Sequence, residues 1–380
     1  MRFLHTSDWH LGRSLHRADL RAAQAAFLDH LVDTARSERV DAVLVAGDVY
    51  DRAIPPVDAV ALYEDALARL RAAGPRVILI SGNHDSARRL GVNAALVDHA
   101  GVHLRTRPEA LADPVVLADA DGPVAVYGLP YLEPALYVAG TEAGPRPGHE
   151  AALRAALGRV RADAAAREIA RTVVLAHAWV AGGVPSASER DIALGGVGHV
   201  PASLFDQFSY VALGHLHGRQ TLAAHLRYCG SPLPYSFSEK DHRKGSWLVD
   251  VDAAGIATAE WVPAPVYRRL AALSGHLEEL LAAPAHAARE QDFLAVTLTD
   301  PVRPEGAMDR LRARFPHVLT LEFRPEGGTA DPRGYREKVR GRDDLAVAAE
   351  FVRHVRSSDA TGPERDLLAA AFAAAVPAHD

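Results

Sequence analysis

The chain has 380 residues, 48% hydrophobic and 24% charged, with a formal net charge of -6. That composition excludes a wholly disordered chain, and the acidic balance excludes an autonomous, strongly basic nucleic-acid binder, though not an enzyme that takes positive charge from metal ions or a partner. Apolar runs such as Val43–Ala46 fall far short of the ~20 residues that span a bilayer, and the lone cysteine, Cys229, with no signal-like N-terminus, predicts a cytoplasmic protein with no membrane partner.

In chain order, Phe3–Ser7 reads as a strand and Ala18–Arg36 as a helix with Leu20, Phe27, Leu28 and Leu31 on one face. Asp41–Ala46 reads as a strand, Pro56–Ala73 as a helix and Arg76–Ser81 as a strand, an alternation that predicts parallel strands with right-handed crossovers. Gly140–Gly148 reads as a loop before a helix at His149–Arg167. Strands are predicted at Val124–Leu129, Thr172–Ala176, Tyr210–Leu213, Leu226–Cys229, Ser246–Val251 and Thr258–Val262, together forming a second, mixed sheet. Past Pro265 the pattern changes to strand, helix, strand, helix, strand: Tyr267–Leu273, His276–Leu281, Phe293–Leu298, Ala307–Phe315 and Val318–Phe323. The expected organisation is a main domain over 1–265 and a small domain over 266–325. A basic linker over 326–342 and a helical tail over 343–380 follow. The tail reads as two amphipathic helices, interrupted at Ser357–Pro363, with Phe351, Val355, Leu367, Leu368 and Phe372 on one-sided apolar faces.

Metal-ligating residue types fall at the ends of the predicted strands. The first strand leads into Ser7-Asp8-Trp9-His10, the second into Gly47-Asp48, the third into Gly82-Asn83-His84-Asp85, and later strands into His177 and Gly214-His215-Leu216-His217. Sites in open α/β sheets lie at the carboxyl ends of strands, so these groups can converge. Asp-x-His, Gly-Asp and His-x-His are each weak signals alone. Gly-Asn-His-Asp is rarer, because the chain has only two asparagines, Asn83 and Asn93. Asp8, His10, Asp48, Asn83, His177, His215 and His217 offer mixed nitrogen and oxygen donors and no thiolate. Seven ligands exceed the need of one ion and suit two, about 3.5–4 Å apart, with Asp48 as the natural bridge.

This order of motifs resembles the calcineurin-like metallophosphoesterase superfamily. The stretches Ser7–Gly12, Gly47–Pro56, Gly82–Ser86, Ala212–His217 and Tyr228–Pro234 are similar to those of the bacterial SbcD family of nuclease subunits. The resemblance implies a four-layer α-β-β-α core of two packed mixed sheets, a small α+β capping domain and a C-terminal helical pair. It implies two divalent ions, manganese by family preference. Asp8, His10, Asp48 and His217 would hold one, and Asp48, Asn83, His177 and His215 the other. His84 would be catalytic, acting on the scissile phosphate or its leaving group, with Asp51 or Asp85 as partner. Asp51 stands about where other branches of the family carry a second histidine, and no proton-transfer role is assigned to it. The implied activity is phosphodiester hydrolysis on DNA, as an ATP-dependent double-strand exonuclease and single-strand or hairpin endonuclease in repair and recombination. The implied partners are DNA, an SbcC-type SMC-like ABC ATPase with a coiled coil, gripped by the tail, and a second copy within a heterotetramer. Another calcineurin-like phosphatase or phosphodiesterase is the alternative. Arg13, Arg17, Arg52, Arg88, Arg89 and Arg190 flank the ligand segments and are candidate phosphate contacts.

Overall fold

A computed structural model describes residues 1–137, 148–190, 192, 198–326, 339, 341–356 and 359–375. The chain divides into two compact units, Met1–Tyr267 and Arg268–Asp380, two residues beyond the boundary expected from the sequence. Most of the expected linker and of the loop before His149 lies outside the described residues, as do Ser357 and Ser358 in the tail.

In the first unit, one six-stranded sheet has the order Ala257–Pro263, Gly245–Val251, Arg2–Thr6, Ala42–Ala46, Arg76–Ile80, Val102–Arg105. The last four of these strands are parallel, with Phe3 opposite Ala42 and Val45 opposite Leu79. The first two are antiparallel additions, Leu248 lying opposite Leu4. The second sheet has the order Gln220–Ala223, Leu226–Tyr228, Tyr210–Gly214, Thr172–His177, Gly122–Leu129, Val115–Asp119.

This corrects the expectation that the strands near 246 and 258 complete the second sheet. After leaving the second sheet at Tyr228, the chain crosses back and caps the free edge of the Arg2–Thr6 strand. Closeness in sequence misleads here, because an exposed strand edge recruits whichever hairpin reaches it. Val102–Arg105, Val115–Asp119 and Gln220–Ala223 are strands that the sequence pattern does not announce. Each sits at a sheet edge, and Val115–Asp119 and Gln220–Ala223 carry only partly buried patterns.

Alternation along each strand divides the side chains between two faces. Ala42, Leu44, Ile78 and Ile80 face Val124, Val126, Val173, Leu175 and Ala212 in a core between the sheets. Val43, Val45, Val77 and Leu79 pack under Phe27, Leu28 and Leu31 of the Arg21–Ser37 helix and Leu70 of the Val57–Ala73 helix. On the other side, Tyr127, Val174, Val211 and Leu213 pack under Leu153, Leu157 and Val160 of the His149–Ala166 helix. The result is the four-layer α-β-β-α arrangement. With both faces covered, the central strands are buried throughout.

The second unit has a parallel three-stranded sheet of Leu270–Gly275, Phe293–Leu298 and Val318–Phe323. The Leu277–Ala282 and Ala307–Arg314 helices close its core on Leu294, Val296, Leu298, Leu311 and Phe315. The helices Asp344–Arg356 and Gly362–Ala375 pack against each other. Phe351, Val355, Leu367 and Phe372 are exposed, and Leu368 is partly buried. No helix among the described residues is long and apolar enough to cross a membrane.

Candidate metal centre

Because strands of both sheets deliver their carboxyl ends to one place, all seven expected ligands converge in the first unit. The loops after the first two strands zip together through backbone bonds: Asp8 N to Gly47 O at 3.0 Å, His10 N to Asp48 O at 3.0 Å and Leu11 N to Val49 O at 2.9 Å. Asp85 ties in the third loop, its carboxylate accepting from the amides of Gly82, Val49 and Tyr50 at 2.9, 3.1 and 2.9 Å. The His84 amide donates to Asp48 Oδ1 at 2.9 Å, and the His215 amide donates to Asp8 Oδ1 at 3.0 Å.

The glycines of these motifs have a steric reason. A Cβ on Gly82 would lie 2.1 Å from Asp48 Oδ1, and one on Gly47, whose φ is +88°, would lie 2.4 Å from His177 Nδ1. Four candidate ligands themselves have positive φ: Asp8 at +52°, His10 at +45°, Asp48 at +49° and His215 at +103°. Aspartate and histidine tolerate this region better than most residues, but at a cost.

The clustering is that of cation ligands. Asp8, His10 and His217 offer donor atoms all within 4.8 Å of one another, as do Asp8, Asp48 and His177, and His10, Asp48 and His84. His10 Nε2 faces His217 Nε2 at 3.1 Å and Asp48 Oδ2 at 3.6 Å. Asn83 Oδ1 lies 2.9 Å from His177 Nε2 and 3.2 Å from His215 Nδ1, while Asn83 Nδ2 is buried with no partner. Burial pushes His10 well below its usual range and His215 to about 3, so both are neutral and keep a lone pair for a ligand bond. Burial also raises the Asp8 carboxyl to about 6. Burial opposes ionisation of Asp48 too, but His177, His10 and His84 outweigh it and hold that carboxyl well below the usual range. Two imidazole nitrogens facing each other across 3.1 Å beside a carboxylate fit a divalent cation between them.

His84 is half-buried, its ring edge-on to His10 with centroids 4.7 Å apart. Its Nδ1 lies 2.8 Å from the backbone carbonyl of Asp51, so of the two expected partners Asp51 is the one in contact, through its main chain. Asp85 is committed to the three amides. The Asp51 carboxylate lies 3.7 Å from His10 Nδ1 and 3.7 Å from Arg13 Nε.

The candidate arginines differ in their surroundings. Arg17, Arg52, Arg88, Arg89 and Arg190 are exposed, Arg190 donating to the Asn83 carbonyl at 3.3 Å. Arg13 is largely buried, donates to Ser188 O at 2.9 Å and lies over the Tyr235 ring. The supports behind the ligands are not apparent from the sequence. Gln24 holds the His10 carbonyl at 2.8 Å, and Ser188, Glu189, Glu239 and Lys244 surround His217. In the sequence the loop over 188–196 stands out for Arg190 and for its resemblance to a family segment near the active site, with no role legible for Ser188 or Glu189, and the motif ending at Pro234 stops short of Glu239.

Residues 1–140 match the profile of the calcineurin-like phosphoesterase family. Residues 266–356 match the SbcD C-terminal profile, described as the type 5 capsule protein repressor C-terminal domain. Among solved structures, TT1561 of Thermus thermophilus is 16% identical over 70% of this chain and 99% of its own, with a TM-score of 0.41. GAP50, the anchor in the inner membrane complex of Plasmodium, is 11% identical over 87% and 98%, with a TM-score of 0.44. A dimetal phosphatase from Danio rerio is 15% identical over 70% and 98%, with a TM-score of 0.37. The first unit has a calcineurin-like phosphoesterase fold, that of a metal-dependent hydrolase acting on phosphoester bonds. The second unit carries a domain of the SbcD C-terminal type.

Proposed function

We propose that the chain is the metal-dependent DNA nuclease subunit of an SbcCD-type repair and recombination complex, working in the cytoplasm with an SMC-like ATPase and as a dimer within a heterotetramer. The observation that carries this reading is the joining, in one chain, of the ligand cluster to the C-terminal domain type matched by residues 266–356. A phosphatase acting on small esters has no need of that second unit.

In this reading Asp8, His10, Asp48 and His217 would hold one ion and Asp48, Asn83, His177 and His215 the other, with Mn2+ as the expected metal. The ions supply Lewis acidity and a water acidic enough to act at neutral pH. The remaining steps belong to the chain. Asn83 Nδ2, buried and unpartnered, is available to a phosphoryl oxygen. His84 donates through Nδ1 to Asp51 O, which leaves Nε2 for the substrate. Burial holds His84 below its usual range when alone. A bound phosphodiester adds negative charge and favours the protonated ring. As water attacks phosphorus and the P–O3' bond breaks, the Nε2 proton passes to the departing 3'-oxygen, while the proton that the water gives up goes to solvent, from which neutral His84 is protonated again.

The exposed Arg17, Arg52, Arg88, Arg89 and Arg190 are the phosphate contacts; Arg13 serves first to hold the Ser188 segment. The second copy has an apolar surface to meet on the first unit, where exposed Ile54, Val60 and Val92 line a cleft of about 690 Å³. Phe351, Val355, Leu367, Leu368 and Phe372 face the coiled coil of the ATPase. The purified protein with Mn2+ should cleave single-stranded or hairpin DNA and spare phosphopeptides. The reverse preference would favour a phosphatase of the same fold.

A further inference from the structure

Behind His217 lies a buried polar cluster that the chemistry above does not use. His217 is held at every polar atom but one. Its amide donates to the Glu189 carboxylate at 2.7 Å, its carbonyl accepts from Lys244 Nζ at 2.8 Å, and its Nδ1 lies 2.5 Å from Ser188 Oγ. Only Nε2 is left, and it faces His10. Ser188 Oγ also bonds Glu239 Oε1, and Lys244 Nζ bonds the other oxygen of Glu239. Glu239 is 1% exposed and Ser188 9%.

The direction of these bonds decides where the lone pair of His217 sits. An ionised carboxylate paired with lysine only accepts, and a serine hydroxyl has one proton. That proton goes to the Glu239 carboxylate, the charged and nearer acceptor, and not to Ser186 Oγ at 3.0 Å, which itself donates to Glu189 at 2.7 Å. The Ser188 oxygen must then accept from His217, which places the imidazole proton on Nδ1 and the lone pair on Nε2. We propose that Glu239, acting through Ser188, is the positioning residue that fixes His217 in the Nδ1–H form and so sets the affinity of the first ion site. The inference rests on the two-ion reading. Ordering of a ligand histidine by a carboxylate beyond it is a general device of metal sites, worth roughly 10–100-fold in affinity.

Glu239→Gln and Ser188→Ala test it. In Glu239→Gln the side-chain amide can donate to Ser188, which turns the hydroxyl toward Nδ1 and moves the imidazole proton to Nε2, in the path of the ion. Ser188→Ala removes the relay and leaves the buried charges as they are. Titration calorimetry with Mn2+ should show two ions in the wild type and, in each variant, a loss of about 10–100-fold at one site with the other unchanged. Nitrogen-15 shifts of His217 should report a lost Nδ1–H preference, and Ser188→Thr should restore both signals. A purely structural Glu239 would lower the melting temperature and leave the tautomer and the ratio of the two affinities alone. A wild type that binds no ion sinks the two-ion reading itself. Two ions at wild-type affinity in folded Ser188→Ala, with Nδ1–H kept, overturn the relay. Should Glu239→Gln not fold, Ser188→Ala decides.

Discussion

His177 shows how single side chains set the behaviour of the candidate metal centre. Both its ring nitrogens face carbonyl oxygens at 2.9 Å, Nδ1 toward Ala46 O and Nε2 toward Asn83 Oδ1. Both can donate at once only if the ring is an imidazolium. Burial opposes that charge, but Asp48 beside it prevails and raises the ring to about 9. A folded pKa above the unfolded 6.5 gives stability that is fully present below 6.5 and lost as pH rises through about 9. An incoming ion must expel this proton. Binding of Mn2+ at about pH 7.5 should release about one proton from His177 and tighten about tenfold per pH unit below about 9. Calorimetry in two buffers of different protonation enthalpy checks this, and identical heats would contradict it. Two substitutions separate ligands from catalyst. His84→Gln should keep both ions while turnover falls by about 10²- to 10⁴-fold, whereas Asp48→Ala should lose both. Metal counting on the pure variants decides, and full occupancy in Asp48→Ala would refute the bridging assignment.

At the scale of elements, the centre depends on how closely the two sheets approach. A Cβ on Gly214 would lie 1.9 Å from the Ala46 carbonyl oxygen of the facing sheet and 3.0 Å from His177 Nδ1. Gly214→Ala should therefore destabilise the first unit by roughly 1–3 kcal/mol through overpacking and weaken the Asn83–His177–His215 site more than the other. Chemical denaturation and metal titration read the two effects; an unchanged melting curve with normal binding would mean that the sheets yield freely. The same scale explains what the sequence could and could not reveal. The clustering of the candidate ligands was legible because a rare tetrapeptide and paired ligand types fall at strand ends, where backbone direction brings them together. Central strands were legible as short apolar runs bounded by glycine and aspartate. The sheet that the Gly245–Val251 strand joins was not legible, because pairing depends on which edge lies open, and no local pattern encodes that. Glu239 is hidden for the same reason: its bond to Ser188 joins residues 51 apart, in segments with no periodic pattern.

For the whole molecule, two units with separate cores imply separable roles. Every candidate ligand, His84 and their supports lie in Met1–Tyr267, so on the proposed reading that unit alone should carry the phosphoester chemistry. Removing residues 343–380 should leave the protein folded, able to bind two ions and able to nick single-stranded DNA. On the proposed reading, the truncated protein should no longer co-purify with an SMC-like ATPase or support ATP-dependent resection of duplex DNA. A truncation that unfolds the first unit, or that keeps full affinity for the ATPase, would show that the apolar helix faces serve the chain's own folding.

The left-handed backbone at Asp8, His10, Asp48 and His215 has a consequence for how the molecule responds to stress. At roughly 1–2 kcal/mol apiece, four such residues make the ligand loops sprung segments, held in place by the rigid sheets on either side. Slackening of the sheets should therefore let these loops relax first, so that the centre would act as a fuse, lost before the scaffold fails. Amide hydrogen exchange should be faster at residues 8–11 and 47–50 than at 43–45 and 173–175, and added Mn2+ should slow the first pair alone. Uniform exchange across both sets would mean that the loops store no tension.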